Sequence, residues 1–235
     1  MAHKKRILIK LTGNVLVDPE TGQPTSFVLN GLINQIKQLH NTHQFGLVIG
    51  GGNLFRGHQH GTKLGLTTNA GHHVGMLATT MNGLIIKDLL DQHNIPNTLF
   101  SAFSCPQMAE TISHHSLAHA INQGRTLIFS GGTGNPFFTT DTNALLRGLQ
   151  IQADEVWKGT NVDGIYDADP VQYNNAKRIT SISYQEALEK KIGIMDATAY
   201  ALGKTHKQRI RIFNIFEKDV LLKAARNKNF GSIIE

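Results

Sequence analysis

The sequence contains a single cysteine, Cys105, among 235 residues, so no disulfide can form within the chain. Nothing in it points to an oxidising compartment. Long apolar runs are also missing. The basic start, Lys4-Lys5-Arg6, leads directly into Ile7-Leu8-Ile9, an apolar run too short for a signal peptide or a membrane span. The cytoplasm is therefore the expected location. No internal repeat, low-complexity tract or linker interrupts the chain, and one domain over residues 1–235 is expected.

Two familiar nucleotide-binding signatures are missing too. The tempting Gly203-Lys204-Thr205 has Thr198 where a phosphate-binding loop needs its first glycine. Counting a dinucleotide fingerprint from Gly50 puts Phe55 at its third glycine position. The net charge of +6 favours anionic partners. The basic residues are dispersed, however, without a basic stripe carrying aromatics between, so a small polyanion is expected rather than nucleic acid or a membrane.

With 40% apolar and 17% charged residues, the composition supports a substantial core. Short apolar runs at Ile7–Leu11, Phe45–Ile49, Thr98–Ala102, Thr126–Phe129, Glu155–Trp157 and Ile210–Phe213 read as buried strands. Between them lie segments of helical period. Leu29, Leu32, Ile33, Ile36 and Leu39 mark one. A longer one from about His73 to Asp91 places Met76, Leu77, Met81, Leu84 and Ile85 on one face, and its Met76, Met81 and Leu84 stripe is expected as core packing first and a subunit contact second. Shorter helices are expected near 116–122, 142–152, 185–190, 197–206 and 218–226. A capping box, Ser183 with Glu186, opens one, and Asp196 caps the next. Strands alternating with helices imply an α/β three-layer sandwich, with a largely parallel central sheet and helices on both faces. In such sheets ligands bind beyond the carboxyl ends of the strands.

The segments at those ends are rich in the groups that phosphate chemistry needs. They are Lys10-Leu11-Thr12-Gly13, Gly50-Gly51-Gly52 with Arg56, the run Ser130 to Asp141, and Lys158 to Pro170. Successive glycines let backbone N–H groups turn toward one anion. Thr139 and Thr140 stand at a helix start, where free N–H groups and the dipole favour phosphate. Lys10 and Arg56 supply cations, and Asp141 is placed to hold Lys10 or a Mg²⁺ ion. Phosphoryl transfer is mostly positioning plus charge stabilisation, so this set points to a kinase. Each piece alone has a plainer explanation, as a turn, a solvated charge or a helix cap. Their convergence on one rim carries the argument.

Four stretches, Ile49–Gly57 (IGGGNLFRG), Gly75–Gly83 (GMLATTMNG), Thr133–Asp141 (TGNPFFTTD) and Val162–Pro170 (VDGIYDADP), give the chain a nearly end-to-end resemblance to the bacterial uridylate (UMP) kinases of the amino acid kinase superfamily. The resemblance implies ATP plus UMP giving ADP plus UDP, with Mg²⁺ accompanying ATP, in pyrimidine nucleotide synthesis. It implies Lys10, Arg56 and Asp141 as catalytic residues. Lys10, Leu11, Thr12, Gly13, Gly52, Arg56, Thr160, Asn161, Tyr166 and Asp169 would serve ATP. Gly51, Arg56, His72, Thr133, Gly134, Asn135, Pro136, Phe137, Phe138, Thr139 and Thr140 would serve UMP, with Thr133 and Asn135 reading the uracil edge. No protein metal-ligand set is implied. A homohexamer, activation by GTP and inhibition by UTP are further implied properties. One departure stands out: where the family usually has Gly-Asp-His-Met-Gly, this chain has Gly71-His72-His73-Val74-Gly75. A neutral imidazole accepts one hydrogen bond where a carboxylate accepts several, so a weaker hold on the acceptor ribose is expected. The local histidine groups (58/60, 72/73, 114/115/119) lack cysteine or carboxylate partners in pattern and are expected at surfaces or interfaces.

Two other readings compete. A kinase of the same fold acting on a carboxylate acceptor is disfavoured by the Thr133–Asp141 stretch. A non-catalytic pyrimidine sensor is disfavoured by the joint presence of Lys10, Arg56 and Asp141.

Overall fold

The computed structural model describes residues 4–168, 170, 172–173, 175–190 and 192–235, without the side chain of residue 58. The strands are β1 (Lys5–Leu11), β2 (His43–Ile49), β3 (Asn97–Ser101), β4 (Glu110–Thr111), β5 (Thr126–Ser130), β6 (Glu155–Thr160), β7 (Ile165–Tyr166), β8 (Arg178–Ile179), β9 (Ser181–Ile182), β10 (Ile210–Asn214) and β11 (Ser232–Ile234). The helices are α1 (Phe27–Leu39), α2 (Gly57–Lys63), α3 (Thr68–Gln92), α4 (His114–Asn122), α5 (Thr140–Gln150), α6 (Tyr184–Glu189), α7 (Ala197–His206) and α8 (Val220–Arg226).

Nine strands form one sheet in the order β4-β3-β5-β2-β1-β6-β10-β11-β9. Among its described pairs only β10 with β11 is antiparallel. Side chains alternate across the sheet, as the pleat requires. Ile7, Ile9 and Leu11 of β1 join Phe45, Leu47 and Ile49 of β2 in a core closed by α1, α3 and α8. Leu8, Val48, Leu127 and Phe129 point the other way, into a core closed by α4, α5, α6 and α7. These are the two helical layers that strand–helix alternation predicts.

Several boundaries differ from the sequence reading. β6 continues past Trp157 to Thr160, which takes Lys158 out of the expected loop and into the sheet, where it is buried. α2 escapes periodicity because its sequence, GHQHGTK, has no apolar face. On α3 the apolar residues do not share one face. Ala78, Thr79, Asn82, Gly83, Ile86 and Leu90 are buried, while Leu77, Met81 and Ile85 are exposed at 54%, 56% and 42%. Small side chains face the sheet there because the helix packs close to β3 and β5: a Cβ on Gly83 would lie 2.9 Å from Leu99. The Ser183–Glu186 capping box and the Asp196 cap both form.

Candidate active site

The strands β5, β2, β1 and β6 are consecutive neighbours, and their carboxyl ends carry the four segments singled out above. Chain direction diverges at β1, since the connection through α1 leads to β2 on one side while β6 lies on the other. Such a point opens a crevice.

Lys10, one residue before the end of β1, reaches Asp141 Oδ1 at 3.3 Å. Lys158, on the neighbouring β6, donates to Asp141 Oδ2 at 2.5 Å and also to the carbonyl of Ile194. Register pairs Lys10 with Lys158 across β1 and β6. Two ammonium groups therefore share one carboxylate at the carboxyl ends of two central strands. Burial pushes the Lys158 ammonium below its ordinary range, and nearby Lys10 adds to this while Asp141 opposes it. Burial, reinforced by Asp141, pushes Tyr200 up to about 12. Sequence reasoning missed Lys158. Its available signal was a lysine directly following the apolar pair Val156-Trp157, a burial too costly without a partner.

Asp141 sits in the first turn of α5, whose N-cap is Thr139, which accepts from the backbone N–H groups of Asp141 and Thr142. The Thr139 hydroxyl in turn donates to Asp196, which also accepts from Thr142 Oγ1 at 2.8 Å and caps α7. Asp196 thus ties the starts of α5 and α7 together, beyond the capping role read from sequence.

Beside this charge cluster lies a cleft of about 290 Å³. Gly51, Gly52 and Arg56 form one wall, His72 and Met76 of α3 another, and Thr133, Asn135, Phe138, Thr139 and Thr140 a third. Gly51 permits the close approach of α3, because a Cβ there would lie 2.8 Å from Ala78 and 2.9 Å from the Gly75 carbonyl. The glycine loop is fixed from behind by Asn82, which donates to the Gly50 carbonyl at 2.7 Å and pairs with Asn53. Arg56 donates to the Gly52 carbonyl at 3.2 Å and is otherwise exposed to the cleft. Of the residues expected around UMP, Gly134, Pro136 and Phe137 do not line this cleft. Phe137 instead packs its ring 5.0 Å from that of His72, which does line the cleft.

The residues expected around ATP are distributed differently. Gly52 and Arg56 share the cleft, while Thr12 caps the short turn Gly13–Leu16 behind Lys10. Leu11 is buried at the end of β1, and Gly13 packs against Asn53. A second hollow of about 410 Å³ is lined by Val162, Tyr166, Lys190, Ile192 and Ile194 among others. Tyr166 belongs to it and donates to Asp163 at 2.7 Å. Thr160 and Asn161 stand at the end of β6 and outside its lining. Asp169 lies outside the described residues. Ile194 joins the two regions, since it lines this hollow and receives Lys158.

The profile of the amino acid kinase family matches residues 5–214. A uridylate kinase of Alcanivorax borkumensis is 43% identical over 98% of this chain and 91% of its own length. Another, of Pseudomonas putida, is 42% identical over 98% and 94%. Among solved structures, a UMP kinase from Ureaplasma parvum superposes with TM-score 0.94 at 32% identity, covering 99% of each chain. One from Bacillus anthracis gives 0.93 at 28% identity, covering 98% and 96%. With the glycine loop, the shared Asp141 and the crevice at β1 all in place, the chain belongs to the amino acid kinase family.

Proposed function

We propose that this chain transfers the γ-phosphoryl group of ATP to UMP, giving ADP and UDP, in pyrimidine nucleotide synthesis. The observation that carries the reading is Asp141 shared by Lys10 and Lys158 at the edge of a cleft walled by glycine N–H groups, Arg56 and the start of α5. UMP would occupy that cleft with its phosphate toward Gly51, Arg56 and Thr140 and its base toward Thr133 and Asn135. The adenosine part of ATP would occupy the hollow beside Tyr166 and Ile194, with its phosphates running toward Lys10, Gly13 and Gly52. The reading takes residues 1–235 as one domain, supported by the unbroken nine-stranded sheet.

In the reaction, an oxygen of the UMP phosphate attacks the γ-phosphorus as the bond to the β–γ bridging oxygen breaks. The electron pair of that bond leaves with ADP. The attacking group is already anionic near neutral pH, its second pKa being about 6, so no general base is needed. The two ammonium groups stabilise charge spread over the transferred oxygens and the leaving oxygen. Asp141 sits between them and offsets their mutual repulsion. Mg²⁺ bound with ATP would neutralise charge on its β- and γ-phosphates. Asp141 already serves two ammonium groups, and the described His, Cys, Asp and Glu side chains form no group of three or more suited to a metal. The phosphates and water would therefore supply most of the ion's ligands.

A homohexamer built from dimers would cover the exposed Leu77–Met81–Ile85 stripe as a subunit contact, and GTP activation with UTP inhibition belongs to the same reading by resemblance alone. A cytoplasmic location fits the finding that no helix among the described residues is long and apolar enough to cross a membrane. A coupled steady-state assay with ATP and Mg²⁺ against UMP, CMP, dUMP and acyl acceptors tests the reading. UMP should give the highest kcat/KM, and preference for an acyl acceptor overturns it.

A further inference from the structure

The segment between β5 and α5 contains a turn that two helices grip from opposite faces of the sheet. Gly131 and Gly132 take φ values of +74° and +60°, where an L side chain is strained. From α3, the Thr79 hydroxyl accepts the Gly131 N–H at 2.9 Å. From α5, Arg147 Nη2 donates to the Gly132 carbonyl at 3.0 Å. The next residues are Thr133, which faces the cleft, and Asn135, whose N–H and carbonyl both bond the Thr133 hydroxyl.

Arg147 is costly for the fold. It is 4% exposed, and no described carboxylate pairs with it. Nη1 donates to Gln150 Oε1 at 2.7 Å, Nε has no partner, and the guanidinium carbon lies 6.0 Å from the Phe129 ring centre. Burial lowers it to about 10, so it stays charged near neutral pH. A buried cation without a counter-charge is seldom the most stable choice, and an apolar residue of similar length often serves packing as well. Beyond its bond to Gln150 on its own helix, what Arg147 does that an apolar residue cannot is hold the Gly132 carbonyl.

The same helix presents Asp141 in its first turn and Arg147 further along. We propose that Arg147 is a positioning residue for the acceptor nucleotide, fixing the Gly131–Gly132 turn so that Thr133 and Asn135 meet the base while Asp141 keeps its place at the transferred phosphate. This rests on the reading of the cleft as the UMP site and adds to it a determinant of base recognition that touches no ligand.

The test is initial-rate kinetics on the full-length Arg147→Met, Arg147→Lys and Gly132→Ala variants, each with a melting curve. Arg147→Met should raise KM for UMP roughly 10- to 100-fold, as misplacement of a binding group does. KM for ATP should stay within about two-fold, and kcat should change far less than KM for UMP. Preference for UMP over CMP should fall. Arg147→Lys should recover part of the loss, since an ammonium keeps the charge but not the planar fork. Gly132→Ala strains the same turn directly, at φ +60° and with its new Cβ meeting Met76 at 3.3 Å, and should show the same split even if Arg147→Met does not fold. If either folded variant retains the wild-type KM for UMP and its base preference, the inference is overturned. Wild-type enzyme inactive on UMP would instead overturn the reading of the cleft.

Discussion

Asp141 Oδ2 lies 2.5 Å from Lys158 Nζ, and Lys158 belongs to the sheet rather than to a loop. The ammonium is held rigid by the strand, by Asp141 and by the Ile194 carbonyl. Rigid, partly dehydrated charge is what stabilises a transition state without reorganisation. Replacing Lys158 by Met should lower kcat by about 10²–10³, with KM for UMP changed far less. A rate near that of the wild type would remove Lys158 from the reaction.

Asp141→Asn should lower kcat comparably and also move the pH profile. Burial and Lys10 already depress the Lys158 ammonium, and Asp141 is what holds it up. Without that carboxylate the ammonium loses its proton at lower pH. The alkaline fall in kcat should therefore shift to lower pH in the variant. An unmoved alkaline limb would show that Lys158 does not titrate in the reaction.

His72 lines the cleft from α3 and packs against Phe137. His72→Asp should lower KM for UMP with kcat less affected, because a carboxylate can accept bonds from both ribose hydroxyls. An unchanged KM would show that this position does not set the hold on the ribose.

At the opposite ends of β1, β6 and β10, Glu155 collects Lys5 at 2.8 Å, Arg211 at 3.0 Å and the Trp157 indole N–H at 2.8 Å. Burial alone would raise the Glu155 carboxyl, but the bonds from Lys5 and Trp157 and the charge of Arg211 outweigh it and leave it below 4.5. Its contribution to stability is therefore present above pH 4.5 and lost as pH falls through the lower folded value. Glu155→Gln should cost roughly 3–5 kcal/mol near neutral pH, the usual effect of breaking a buried pair. The gap from wild type in urea denaturation should narrow below pH 4.5. A gap independent of pH would contradict the assignment.

Much of this arrangement can be read from residue order. Ile7–Leu11 and Phe45–Ile49 are unambiguous as buried strands, and the glycine, lysine and threonine segments at their ends follow. The missing parts have physical reasons. Lys158 is hidden because a charge conventionally marks a strand's end, whereas here Asp141, distant in sequence, offsets its burial. β11 is three residues long and exists only because β10 and β9 flank it. The exposed Leu77, Met81 and Ile85 look like core by composition, since periodicity cannot say which apolar face meets the sheet. Arg147 and Asn82 act through backbone carbonyls brought near by folding, for which a single sequence offers no pattern.

The exposed α3 stripe yields a prediction of its own. If the proposed homohexamer uses this stripe, Met81→Arg should shift the sedimenting species to a smaller assembly, because a charge would replace an apolar side chain that is 56% exposed in the single chain. An unchanged assembly would place the subunit contact elsewhere.

The central claim is that phosphate oxygen, and not a carboxylate, receives the transferred group. Phosphorus-31 NMR of the purified protein with ATP, Mg²⁺ and UMP tests this directly, since ADP and UDP should appear in equal amounts without inorganic phosphate. ATP consumed only to ADP and inorganic phosphate, or a product trapped by hydroxylamine as a hydroxamate when acyl acceptors are supplied, would contradict it.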